Sequence, residues 1–109
     1  PFDYDVALAA ADRETVELIA ASFLEYSARD LQTIRHSIAD ADRRGIASTA
    51  ANLGGTLAIF GARPAVRLAR RIEQQAAFGE LPALHALLDE LAGEIDRLRV
   101  ALKRLRSAP

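Results

Sequence analysis

Apolar residues recur at intervals of three and four along the first half of the chain, the spacing of one face of an α-helix. Asp12 is a typical N-cap residue, and the periodic stretch that follows it ends near Asp40. The segment from Phe2 to Ala10 predicts a short cap helix or an ordered arm, whose Phe2 and Tyr4 cover one end of the core. The first apolar stripe consists of Val16, Ile19, Phe23, Ser27, Leu31, Ile34 and Ile38.

Three further stripes predict three further helices. Asp42 caps the second helix, and Gly61 ends it. Pro64 lies in the first turn of the third helix, and Gly79 ends that helix. Pro82 opens the fourth helix. Their apolar positions are Ile46, Ala50, Leu53, Leu57 and Phe60; then Ala65, Leu68, Ala69, Ile72 and Ala76; then Leu84, Leu88, Leu91, Ile95, Leu98, Leu102 and Leu105.

Four amphipathic helices with short connections predict an all-α fold, an antiparallel up-down four-helix bundle with a short N-terminal cap helix. Residues 1–109 form one domain in this interpretation. The fourth stripe, Leu84 to Leu105, is heptad-like, so pairing with a second chain as a dimerisation or spacer module is the alternative.

Composition narrows the function. The 109 residues carry a formal net charge of −1, which gives no general attraction to nucleic acid or to an anionic membrane. Cysteine is absent, which excludes thiolate nucleophiles and zinc–thiolate sites and fits a cytoplasmic protein. No apolar run approaches the roughly 20 residues of a membrane span. Because the chain contains no Met, we expect it to be part of a longer protein.

One outward sector of the second helix has no long side chain. A surface sector normally carries Lys, Glu, Arg or Gln, and two adjacent mid-helix glycines cost roughly 2 kcal/mol relative to alanines. Close packing within the bundle, approach of a partner protein's backbone, and loss of a former role each explain such a sector. Its residues are Ala47, Ala51, Gly54, Gly55 and Ala58.

Residues 49–62 around this sector resemble the signature of histidine-containing phosphotransfer (HPt) domains, Ala-His-x-Leu-Lys-Gly-Ser/Thr followed by Gly-Ala. Ala50, Leu53, Gly55 and Gly61-Ala62 match the signature. Further along, residues 68–73 with Gly79 resemble the family's Leu-Ala-x-x-Leu-Glu helix and the glycine after it. In the first helix, Phe23 and Leu31 fall where the family has Phe and Leu.

The resemblance implies a four-helix bundle that exchanges phosphate with receiver domains through a histidine and needs no metal or other cofactor. Two positions depart from the family. Ala51 occupies the place of the phospho-accepting histidine, and Gly54 that of the lysine three residues later. Alanine offers no nucleophile, and the lysine charge that would help to hold a phosphoryl group is absent. The resemblance therefore implies the scaffold of an HPt domain without its catalytic residue.

We therefore expect a two-component signalling module that docks receiver or kinase domains without transferring phosphate. It would be monomeric as an isolated domain and the C-terminal module of a hybrid sensor kinase, on the cytoplasmic side of an inner-membrane protein if the parent is anchored. The alternative is an active phosphotransfer domain with an engineered His-to-Ala change at Ala51. The expected docking residues are Ala47, Ala51, Asn52, Gly54, Gly55, Ala58, Arg67, Arg70 and Arg71.

Other polar residues have simpler explanations. The two histidines, His36 and His85, are predicted to be solvated, with no carboxylates at metal-site spacing around them. A basic stripe on the third helix is either a docking edge for an acidic pocket or a solvated face paired with nearby acids. No nucleophile, base and orienting group occur together. The stripe is Arg63, Arg67, Arg70 and Arg71, and the carboxylate pairs considered are Glu73 with Glu80 and Asp40 with Asp42.

Overall fold

A computed structural model describes Val6, Ala9 and residues 12–107, with side chains as far as 104. Residues 12–107 contain four α-helices, and no strand is present among the described residues, which confirms the all-α bundle. The helices are α1 (Arg13–Ala39), α2 (Arg43–Ile59), α3 (Arg63–Phe78) and α4 (Leu84–Ser107).

The expected cap helix lies almost entirely outside the described residues, Phe2 and Tyr4 included. Val6 and Ala9 are both helical. Pro82 does not open α4. It lies in a separate 3-10 turn, Leu81–Ala83, directly before that helix. The short turn uses the fixed φ of proline before regular α-helical hydrogen bonding begins.

The predicted caps account for where the helices begin and end. An Asp12 carboxylate oxygen accepts the Thr15 N–H at 2.8 Å, and an Asp42 carboxylate oxygen accepts the Gly45 N–H at 3.0 Å. Each bond satisfies a backbone donor that the first turn of a helix leaves without an intrahelical partner. After α2 the chain reverses at Gly61, whose φ of 68° is a left-handed conformation that glycine adopts readily.

The core lies on the inner faces of all four helices, as the stripes predict. Leu84 and Leu102 are fully buried, as are the stripe positions between them, so the bundle itself covers the α4 stripe. The alternative that this stripe serves dimerisation is therefore not supported. Ile19, Leu31 and Leu68 are only half-buried at the margin of the core, and the side chain of Leu105 lies outside the described part.

Contacts between helices show that neighbours are antiparallel. The Arg43 guanidinium, at the start of α2, donates to the backbone oxygens of Ala76 and Gly79 at the end of α3. Arg35, near the end of α1, pairs with Asp89, near the start of α4. α2 packs against both α1 and α3, and its remaining side faces solvent. No helix among the described residues is sufficiently long and apolar to cross a bilayer.

Candidate functional site

The solvent-facing side of α2 is the candidate site, and its exposed positions follow a spacing of four and three. Small side chains occupy most of it, since nothing on this stripe between Arg44 and the end of α2 is larger than serine. Ala47 lies at its border and is half-buried. The exposed stripe is Arg44, Ser48, Ala51, Gly55 and Ala58.

Gly54 does not belong to this exposed surface, which corrects the sequence-based expectation. It is buried between α2 and α3, and a Cβ built on it would lie 3.6 Å from the Cβ of Ala69. The small residue at this position therefore allows close helix packing inside the bundle. Packing within the bundle, one of the three explanations for the small residues of this sector, therefore applies to Gly54.

Gly55 differs from its neighbour. It is exposed, and apart from Gly55 itself, its two chain neighbours and the local helix backbone, no described atom lies within 4 Å of the place where its Cβ would be. Its φ is not in the left-handed region, which among the described residues is occupied by Ala41 and Gly61. The described fold therefore has no need of glycine at this position.

The arginines of α3 form an exposed basic edge. All four are exposed, and none makes a salt bridge with a described residue. The alternative in which nearby acids pair with them is not supported, because the salt bridges in the described part join Arg13 to Glu17, Arg35 to Asp89 and Arg97 to Glu94. These exposed arginines are Arg63, Arg67, Arg70 and Arg71.

Part of this basic edge borders the α2 surface. Arg63, Val66 and Arg67 line one shallow groove of about 270 Å³ together with Ala58 of α2. Arg70 is four residues after Val66, about 40° away around the helix, whereas Arg71 is about 140° away. Arg67 and Arg70 are therefore closer to the α2 surface than Arg71.

On the opposite border, α2 meets α1. Asn52 is exposed, and its backbone oxygen accepts a hydrogen bond from the Thr56 hydroxyl at 3.3 Å. Thr56 also lines a cleft against α1, which includes Ser27 and Asp30. This cleft is not predicted from sequence, since its walls come from two helices.

The remaining titratable candidates do not form a site. His36, in the last turn of α1, and His85, in the first turn of α4, are both exposed. The described residues contain no group of His, Cys, Asp and Glu side chains suited to a metal ion. Asp42 acts as the cap of α2, while Asp40, Glu73 and Glu80 are exposed. These carboxylates, which were considered from sequence only as pairs, therefore occupy a helix cap and solvated faces.

Comparison with known proteins identifies one family. The family model described as "Hpt domain" matches residues 18–101, which is more than half of the chain. Comparisons with curated proteins and with solved structures gave no match. The matched range covers α2 and α3 completely, together with most of α1 and α4.

Proposed function

The chain belongs to the Hpt domain family, and on that premise we propose that it docks partners of a phosphorelay without accepting phosphate itself. Hpt domains are phosphotransfer-related signalling modules that interact with receiver and kinase domains. Two properties of this chain extend that general role to the more specific proposal. They are the absence of a reactive group at the expected position and the form of the surface around it.

The position expected to carry the phospho-accepting group is occupied by Ala51, which has no nucleophile. Ala51 is exposed near the middle of α2, where the resemblance to the family signature assigns the phospho-accepting histidine. A methyl group cannot attack phosphorus, so no phosphoramidate bond can form there. His36 and His85 lie on other helices, in end turns. Gly54, which is buried beside Ala69, has no side chain, so the lysine charge of the family signature is missing as well.

The surface around Gly55 carries the docking part of the proposal. A mid-helix glycine costs about 1 kcal/mol relative to alanine, and no contact within the described chain requires it at Gly55. The close approach of a partner's backbone explains why a residue without a side chain stands there. Ser48, Ala51 and Ala58 leave the same approach open.

Comparison with another helical glycine shows that a glycine surrounded by small exposed residues is particular to α2. A Cβ added at Gly93 of α4 would also meet no described atom within 4 Å beyond its chain neighbours and the local helix backbone. However, Gly93 has long or charged exposed neighbours, among them Asp89, Glu90 and Arg97. Its surroundings are those of an ordinary solvated helix face. Gly93 therefore serves as a control position for substitutions at Gly55.

The proposed partner is a receiver domain, or the kinase domain that accompanies it. Arg67 and Arg70, which form no salt bridge with a described residue, supply positive charge beside the small-residue surface, suited to the acidic pocket of a receiver. The complex would be weak or transient, the chain monomeric, and the parent a hybrid sensor kinase with this domain on the cytoplasmic side. Burial of the α4 stripe supports a monomer, because the stripe is already covered.

Phosphate transfer from a panel of ³²P-labelled receiver domains tests the loss of activity. We expect receiver binding but no acid-labile label on the chain as it stands. In Ala51→His, label should appear on the order of 100-fold more slowly than in an Hpt domain that carries both the histidine and the lysine, because one electrostatic group is missing. Uptake by Ala51→His at the rate of such an intact domain would instead favour an active domain altered only at Ala51.

A further inference from the structure

A cleft between α1 and α2 borders the proposed docking surface. It has a volume of about 240 Å³, and Thr56, which lines it, directly follows Gly55 in α2. Its floor is apolar, formed in part by Phe23 and Leu53. Its rim is polar, with hydroxyl groups from Ser22 and Thr56 and a carboxyl group from Asp30. Within the described part of the chain, no lysine or arginine lines it.

Ser27 supplies an unsatisfied polar group in this cleft. The residue is 1% exposed, and its hydroxyl oxygen has no hydrogen-bond partner among the described residues. A buried hydroxyl without a partner is unfavourable by about 1–3 kcal/mol, so most such groups are paired. Because Ser27 lines the cleft, a molecule that enters the cleft can supply the partner.

Asp30 supplies a carboxyl group that forms no ion pair with a described residue. Partial burial raises its pKa, while the charge of the neighbouring Arg29 acts in the opposite direction. The Arg29 guanidinium lies over the ring of Tyr26, 5.4 Å from its centroid, and makes no salt bridge with Asp30. The carboxylate is therefore partly desolvated and not compensated by a direct ion pair from its neighbour.

We infer that this α1–α2 cleft binds an organic cation, which the docked partner presents as a lysine or arginine side chain. The N–H groups of such a cation can donate both to the Asp30 carboxylate and to the hydroxyl oxygens of Ser27 and Ser22. The apolar floor matches the methylene stem of a long basic side chain. The identity of the presenting protein rests on the proposed function, whereas the affinity of the cleft for a cation does not.

Methylguanidinium chloride is a probe that needs no partner. In ¹⁵N NMR titrations of the chain, with sodium chloride at equal ionic strength as the reference, we expect saturable shifts at the amides of Ser27, Asp30 and Thr56. We expect a dissociation constant of about 1 mM for so small a ligand. Shifts that stay linear with concentration, or equal those in sodium chloride, would overturn the inference, whatever the outcome of receiver-binding experiments.

Substitutions distinguish binding of the cation in the cleft from a general attraction of cations to the protein. Asp30→Asn should weaken binding of the cation at least about tenfold, because it removes the negative charge that accepts the N–H groups of the cation. Ser27→Ala should weaken it several-fold and leave the fold intact, because the hydroxyl has no other partner in the described chain. Asp96→Asn, an exposed change on α4, should bind as the unaltered chain does. Equal affinity in Asp30→Asn and Asp96→Asn would contradict the proposed site.

Discussion

Gly54 of α2 packs against Ala69 of α3, so closely that a Cβ added at Gly54 would lie 3.6 Å from the Cβ of Ala69. This separation is an ordinary van der Waals contact, so an alanine fits without displacement. Gly54→Ala should therefore raise the free energy of unfolding by up to about 1 kcal/mol, through the better helix propensity of alanine. Chemical denaturation of the two proteins measures the difference.

Gly45→Ala is the matched control for this effect. A Cβ at Gly45 would overlap the Asp42 carboxylate that caps α2, so this change should lower stability. If Gly54→Ala were as destabilising as Gly45→Ala, the α2–α3 packing described above would be wrong.

Arg43 holds the end of α3 through two hydrogen bonds, at 3.0 Å to the Ala76 oxygen and 2.9 Å to the Gly79 oxygen. Arg43→Ala should lower the free energy of unfolding by about 1–3 kcal/mol, because charged donors are lost from carbonyls at a helix end. Arg44→Ala is the control, since Arg44 is exposed and makes no such bond to a described residue. Thermal or urea unfolding should separate the two variants. Equal stability of the two would contradict a stabilising role for the Arg43 hydrogen bonds.

Asp30 predicts a pH-dependent stability difference. Its pKa is raised in the folded chain from an ordinary value of 3.8, so the folded state binds this proton more tightly than the unfolded state. Ionisation of Asp30 therefore disfavours folding once the pH exceeds the folded pKa. Asp30→Asn should melt at a higher temperature than the unaltered chain at pH 7.

The same difference should shrink as the pH falls through the folded pKa and vanish below 3.8, where Asp30 is protonated in both states. A melting temperature for Asp30→Asn that is unchanged at pH 7, or a difference independent of pH, would show that burial of this carboxyl has no energetic effect.

Much of the fold could be predicted from sequence because helix periodicity and capping are local properties. Asp12 and Asp42 identify two helix starts, and each accepts the predicted type of backbone hydrogen bond. The α2 stripe from Ile46 to Phe60 is buried at every predicted position. Pro82 was misplaced because proline is equally compatible with a 3-10 turn and with the first turn of an α-helix.

The site could be predicted only in part, since its composition depends on neighbouring helices. Periodicity alone places Gly54 and Gly55 on one sector, but the position of Ala69 decides that only Gly55 is exposed. The cleft beside Ser27 and Asp30 requires the packing of α1 on α2, which residue spacing within one helix does not specify.

Titration calorimetry of receiver domains against Gly55→Arg tests the proposed docking surface most directly. A long side chain at Gly55 would obstruct a partner's backbone, so we expect the dissociation constant to rise at least about tenfold. Ala51→Gly and the control Gly93→Arg should leave it within about twofold, a difference below about 0.5 kcal/mol. Unchanged binding by Gly55→Arg, in a protein shown to be folded, would contradict docking through the exposed face of α2.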